Sequence, residues 1–374
     1  MIAARSSGVG SGVISTFTKL SLKESARTDD ADKVVRLAVA AVAAACVLAV
    51  PMSGLAAGRT ASWAQPQIKL VTAHGLLGGD PTDFRPDDPL TAGDLADLVA
   101  GMTGKPVVPV LDPATTVTIA QLDAALIRGE GLSSAAARFR AAAVAAGLKP
   151  PARFGPEAVA RLLGLRTDHP RSQESLEPAP SSIASRAEAA FSAAKILGWK
   201  GWETQYVSSL SATFAPTAVS GWQQEILQQA VSLIGFPYVF AGTSEKPQTV
   251  LGETVPGGFD CSGFVWRVYK LAAYAKDTPL AETLKGRTTY AMSGEVPASN
   301  RIPFASLEPG DVLFFGTKGP RSKPSQVYHT GIYLGGGWMI HSSGTGVTVS
   351  PIATGYYAKA FAWARRPLAE AALE

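Results

Sequence analysis

Cys261 stands in the stretch GGFDCSGFVW, residues 257–266, and is one of only two cysteines in a chain of 374 residues. Downstream of it Phe264, Val265, Val268, Leu271 and Ala272 fall at helical spacing, so a buried helix should begin at or just after the thiol. Asp260 is a suitable N-cap and Gly257-Gly258 a turn. A thiol in the first turn of a helix meets unpaired N–H groups and the positive end of the helix dipole, which predicts a lowered pKa. The same N–H groups can hold a developing oxyanion. A thiolate nucleophile also needs a base, and the histidines are His74, His169, His329 and His341. His329 opens HTGIYLGGG and His341 closes WMIHSSG, two strand-like runs joined through Gly335–Gly337, which predicts an antiparallel hairpin. Such a hairpin sets the two rings near each other, one as base and the other holding it through its second nitrogen. An inert buried cysteine and two core histidines remain the plain alternative on spacing alone.

The elements that position these residues belong to a longer exported chain. With 46% hydrophobic and 17% charged residues the sequence is too apolar for disorder and long enough for two folded units. The net charge is +4 with no basic, aromatic-interleaved run, so nucleic acid is not an expected partner. Residues 1–57 read as a signal peptide: Lys33 and Arg36 precede the apolar run Leu37–Val50, and small residues follow, giving cleavage between about 56 and 64. The run is shorter than the ~20 residues of a spanning helix. An uncleaved anchor or a buried helix is the competing reading, and Ala43 makes Cys46 a poor lipidation site. Cleavage would remove Cys46 and leave Cys261 without a disulfide partner in an oxidising compartment.

GFDCSGFV, followed by LEPGDVLFF (Leu307–Phe315) and HTGIYLGGGWMIHSS (His329–Ser343), resembles the NlpC family of cell-wall cysteine peptidases, from about Trp222 to Pro367. GFPYVFAG (Gly235–Gly242) adds the family's tyrosine, here with Phe240 where tryptophan is usual and Ala241 in place of a glycine. The resemblance implies an α+β, papain-like domain, N-terminal helices packed on an antiparallel sheet. It implies Cys261 as nucleophile, His329 as general base and His341 as the orienting residue. Tyr238, Asp260 and Ser262 would line the substrate site, Tyr238 near the oxyanion, with Arg287 at the cleft or merely a solvated loop residue. Asp311, in EPGDVLFF, reads as the anchor of a Pro-Gly turn rather than a catalytic acid. No metal cluster with ligand spacing is present, so neither metal nor other cofactor is expected. The insertion Thr243–Gly257 should shape one cleft wall.

Before this domain, residues 64–200 are rich in alanine and leucine. Ile68–Met102 reads as helix, acidic turn, helix, and Val117–Gly129 and Ile183–Leu197 repeat the second helix. The rhythm resembles three S-layer homology repeats, an all-α fold that binds wall polysaccharide. SRAE (Ser185–Glu188) is close to the family signature, whereas TAGD (Thr91–Asp94) and TIAQ (Thr118–Gln121) lack its arginine. Arg186 is thus the candidate for an acidic wall polymer. Residues 201–221 should be an exposed linker whose Phe214 docks on the peptidase domain, with Trp222–Leu233 the first helix of that domain. The resemblance implies a secreted, wall-associated endopeptidase that cuts peptidoglycan stem peptides between D-glutamate and a diamino acid. An N-acetylmuramoyl-L-alanine amidase, an acyltransferase and a non-catalytic wall-binding protein are the alternatives.

Overall fold

The computed structural model describes residues 62–166 and 177–374; the expected export signal and His169 lie outside the described residues. The first part is helical: α1 (Gln65–Ala73), α2 (Ala92–Thr103), α3 (Ile119–Gly129), α4 (Ser133–Ala145), α5 (Phe154–Leu162) and α6 (Arg186–Leu197). The three expected repeats show at the starts of α2, α3 and α6. Thr91, Thr118 and Ser185 accept from the amides of Asp94, Gln121 and Glu188, three residues on in each case. This is the geometry that an S/T-x-x-acid/Gln sequence encodes.

The residue before each cap is buried, and these three residues bond in a ring. Leu90 N–H donates to the Ala184 carbonyl at 2.7 Å, Ala184 to Val117 at 2.9 Å, and Val117 to Leu90 at 3.0 Å. Each repeat thereby satisfies the backbone of the next, which none could do alone.

The stretch expected as an open linker is ordered. Residues Trp202–Thr213 form α7, and α8 (Gly221–Ser232) follows, burying Ile226, Leu227, Ala230 and Val231. Phe214 is buried as expected, 5.1 Å from the rings of both Phe139 and Trp338. Here Phe139 belongs to the helical part and Trp338 to the sheet, so the two share one apolar core. Polar contacts reinforce the seam, with Val219 N–H on the Ala146 carbonyl and Thr217 N–H on that of Leu334.

The C-terminal part is α+β. Short pairs β1 (Thr243–Ser244) with β4 (Gly258–Phe259) and β2 (Gln248–Val250) with β3 (Glu253–Val255) hold the insertion before Cys261. Helix α9 (Cys261–Trp266) continues as a π-helical stretch to Leu271. It lies on an antiparallel sheet of β5 (Val312–Gly316), β6 (Val327–Gly335), β7 (Trp338–Ser343), β8 (Gly346–Pro351) and β9 (Phe361–Arg365), in the order β8-β7-β6-β5-β9. A short α10 (Gly355–Ala360) joins β8 to β9. The β6–β7 turn needs its glycines: Gly335, Gly336 and Gly337 have φ of 90°, 59° and 78°. A Cβ on Gly336 would stand 1.9 Å from the Ala215 carbonyl, because the chain after α7 crosses this turn.

A charged group is buried where the helical part meets the sheet. The Arg161 guanidinium is fully buried, pairs with Glu177 at 2.7 Å, donates to the Thr345 carbonyl at 3.0 Å and also reaches the carbonyl of Gly235. Glu157 lies 3.9 Å away with no hydrogen bond to its carboxyl oxygens among the described residues. Its carboxyl is pushed up to about 8, by burial first and the nearby Asp123 second. Removing one partner of a buried charge group leaves the others unpaired, which costs about 3–5 kcal/mol. Arg161→Ala should therefore lower unfolding free energy in urea by that amount, and a loss under about 1 kcal/mol would show that the seam does not depend on this cation.

Candidate active site

Helix α9 starts where the sequence places it, with Asp260 as N-cap in extended conformation. One carboxylate oxygen of Asp260 accepts from Gly263 N–H at 2.5 Å and from the Ser262 hydroxyl at 3.1 Å, the other from Ala241 N–H at 2.9 Å. Arg287 closes the group, donating to Ser262 Oγ at 2.7 Å, to Asp260 at 3.1 Å and to the Gly242 carbonyl at 3.2 Å. Gly263 is required because a Cβ there would stand 1.9 Å from that same carbonyl. Asp260, Ser262 and Arg287, expected at the substrate, are thus bonded to one another and fix the start of α9. Tyr238 is half-buried and bridges in parallel to Phe259, two residues before Cys261.

The histidines arrive on neighbouring strands. His329 pairs with Phe315 across β5, and His341 with Thr348 across β8. Gly331 of β6 makes room, since a Cβ on it would meet that of His341 at 2.9 Å. The two rings bond directly, His329 Nε2 to His341 Nδ1 at 2.8 Å, and His341 Nε2 reaches Ser350 Oγ at 2.9 Å. With Nε2 of His329 engaged, Nδ1 is the nitrogen left to take a proton. That role requires the tautomer in which Nε2–H donates to His341, whose own Nε2–H then donates to Ser350. Cys261 is tied to this pair by the backbone of Thr330, the residue after His329, and by electrostatic reach to Tyr357.

The electrostatics depart from the dipole argument. Burial, and then the Asp260 carboxylate, push the Cys261 thiol up to about 11; backbone hydrogen bonds from Ser262 and Thr330 and the charge of Arg287 act against this without outweighing it. Burial likewise holds His329 down to about 4, and His341, buried against His329, well below the ordinary imidazole value. Burial therefore keeps both groups neutral, thiol and imidazole alike, over the range between those two values.

Other candidates fall outside the cleft. His74 is exposed at the end of α1, bonded to the Leu70 carbonyl. Asp311 is fully buried, receives Arg366 at 2.8 and 3.0 Å and the Glu308 amide at 2.8 Å, and anchors its turn. Arg186 is buried: its guanidinium donates to Asp94 at 2.8 Å and to the carbonyls of Phe84 and Leu77 at 3.0 and 2.7 Å. With Gly75–Gly78, Arg85 and Asp97 it lines a groove of about 390 Å³ between the first and third repeats. Sequence reasoning missed Ser350 and Tyr357. The alternation in GVTVSP places Ser350 on the His341 side of β8 and could have signalled it; a tyrosine doublet after a turn carries no such signal.

Residues 235–366 match the NlpC/P60 family, and residues 57–96 match the S-layer homology domain. Over 129 residues the chain is 28% identical to a gamma-D-glutamyl-L-lysine dipeptidyl-peptidase of Bacillus subtilis, covering 34% of this chain and 35% of that protein. It is 32% identical over 142 residues to the probable peptidoglycan endopeptidase LytE of the same species, covering 38% and 34%. It is 28% identical over 171 residues to the bifunctional muramidase/DL-endopeptidase CwlT of that species, covering 43% and 44%. The chain thus spans less than half the length of the curated relatives it matches.

The neutral pair has a measurable signature. Iodoacetamide alkylation of Cys261 should climb only as pH rises toward about 11, and the His329 ring should titrate near 4 by proton NMR. A thiol already half-reactive below about 8 would show that the helix start, not burial, governs it.

Proposed function

We propose that this chain, whose C-terminal part is an NlpC/P60 domain, is an exported peptidoglycan hydrolase that cuts stem peptides through Cys261, at the bond between γ-linked D-glutamate and a diamino acid. The observation that carries the reading is the His329–His341–Ser350 relay, which starts on the strand whose Thr330 backbone bonds the thiol of Cys261, itself at a capped helix start. Cys261 Sγ attacks the amide carbonyl carbon while its proton passes to His329 Nδ1, so the neutral pair becomes thioether-bonded tetrahedral carbon and imidazolium in one step. His341 accepts from His329 Nε2–H and spreads the gained charge toward Ser350. The role of stabilising the oxygen that becomes negative falls to the start of α9 with Tyr238. His329 returns the proton to the leaving amine, and the C–N bond breaks to leave a thioester. Water then attacks the thioester with His329 again as base, restoring the thiol and freeing the carboxylate.

The naming of the first relative supports the γ-D-glutamyl bond. The S-layer homology match supports attachment to the cell surface through a wall polymer, with the groove beside Arg85 and Arg186 as its seat. In that groove Arg186 shapes the wall through its bonds to Asp94 and Leu77, while the exposed Arg85 offers its charge to the polymer. The domain limits that go with this reading are 64–200 for the repeats and 222–367 for the hydrolase.

Digesting purified wall and reading the new ends by mass spectrometry tests the assignment. Free amino groups on the diamino acid are expected; free lactyl ends would make the chain an amidase and overturn the bond assigned. Cys261→Ser and His329→Ala should each lose at least about a hundredfold in turnover, while His341→Asn, which keeps a hydrogen-bonding amide, should retain a measurable fraction. Full activity in Cys261→Ser would end the thiol mechanism.

A further inference from the structure

Tyr357, in α10, has its ring centroid 5.8 Å from His329 and 5.3 Å from His341, and it is the ring that touches both among the described residues. It also lies 5.1 Å from Phe315, which itself stands 5.9 Å from His329. The base therefore rests against two aromatic rings on one flank and against His341, 4.9 Å away, on another. The mounting of Tyr357 is firm, because α10 runs directly into β9, whose Phe361 is paired with Phe315. Tyr356, its neighbour, is exposed and packs 5.3 Å from it, extending the same wall outward toward Tyr328.

We propose that Tyr357 is a positioning residue for the reaction: its ring, rather than its hydroxyl, holds the His329–His341 bond in place and keeps water from both imidazoles, so that the thiol proton has one acceptor. The inference rests on Cys261 and His329 being the nucleophile and base. An imidazole can take that proton only while neutral, and neutrality here comes from burial. Tyr357 from α10 is the titratable group against both rings, and behind it stand Cys261 from α9, Tyr356 from α10 and Tyr328 from β6; no carboxylate acts on either ring among the described residues. Among the described residues burial is the cause that keeps the base unprotonated, and the Tyr357 ring of α10 supplies part of that cover.

The test compares Tyr357→Phe, Tyr357→Leu and Tyr357→Ala with the parent by histidine NMR titration in the absence of substrate, then by the pH profile of muropeptide hydrolysis. Tyr357→Phe should leave the His329 titration near 4 and kcat within about twofold. Tyr357→Leu, which keeps apolar bulk where Ala risks loss of folding, should raise the titration by at least about one unit toward the ordinary value. It should also lower kcat at pH 5 by about twofold or more relative to its own plateau above pH 7, with KM little changed. An unmoved titration in Tyr357→Leu would overturn the proposal, as would an equal shift in Tyr357→Phe, which would assign the effect to the hydroxyl. Because the titration is read without turnover, a parent that fails to hydrolyse wall sinks the proposed function separately from this inference.

Discussion

The carboxylate of Asp260 is the hinge of the site. Its two oxygens take the Gly263 amide and the Ser262 hydroxyl of α9, the Ala241 amide and the Arg287 guanidinium, which come from three segments of the chain. A helix start has unpaired N–H groups that must be met by something. Here the group that meets them also fixes the neighbouring thiol and draws the Tyr238 segment against it. Burial raises the thiol pKa first and the same negative charge raises it further, so the residue that places the nucleophile also helps to keep it protonated at rest. Placement and reactivity are set against each other, and the neutral imidazole of His329 resolves the opposition by taking the proton only as the sulfur bonds to carbon.

Local features of the chain were legible in the sequence. The caps at Thr91, Thr118, Ser185 and Asp260 follow from short-range hydrogen bonding between residues three apart, and the histidine hairpin follows from strand alternation around Gly335–Gly337. Features that depend on what lies across the fold were not legible. Residues 202–213 lack a clean apolar stripe, since only Val207 and Ser211 are buried, and their helix is held by packing onto α4 and the sheet. Arg161 reads as a surface arginine on a helix and is instead buried and bonded to two carbonyls more than seventy positions distant. The thiol's shift was misjudged for the same reason: the helix dipole is local and visible, whereas desolvation is a property of everything packed around the sulfur.

The part that matches the NlpC/P60 family and the helical repeats also meet differently from two folded units on a tether. Phe139, Phe214 and Trp338 form one cluster, and Arg161 bonds to the carbonyls that flank β8 and the Tyr238 segment. The ring of backbone bonds among Leu90, Val117 and Ala184 is therefore continuous, through α5 and its arginine, with the strand pair that carries His341 and Ser350.

The crossing of residues 215–217 over the glycine turn fixes a distance. A flexible connection lets a tethered catalyst sweep a sphere whose radius grows with the square root of its length. A chain laid across the β6–β7 turn and bonded to it permits no such sweep. If the repeats grip the polymer mesh at one point, the cleft stands at one height and one bearing from that point. On the proposed function the molecule then works as a ruler, cutting stem peptides at a set spacing from its foothold, and it must let go before it can reach the next.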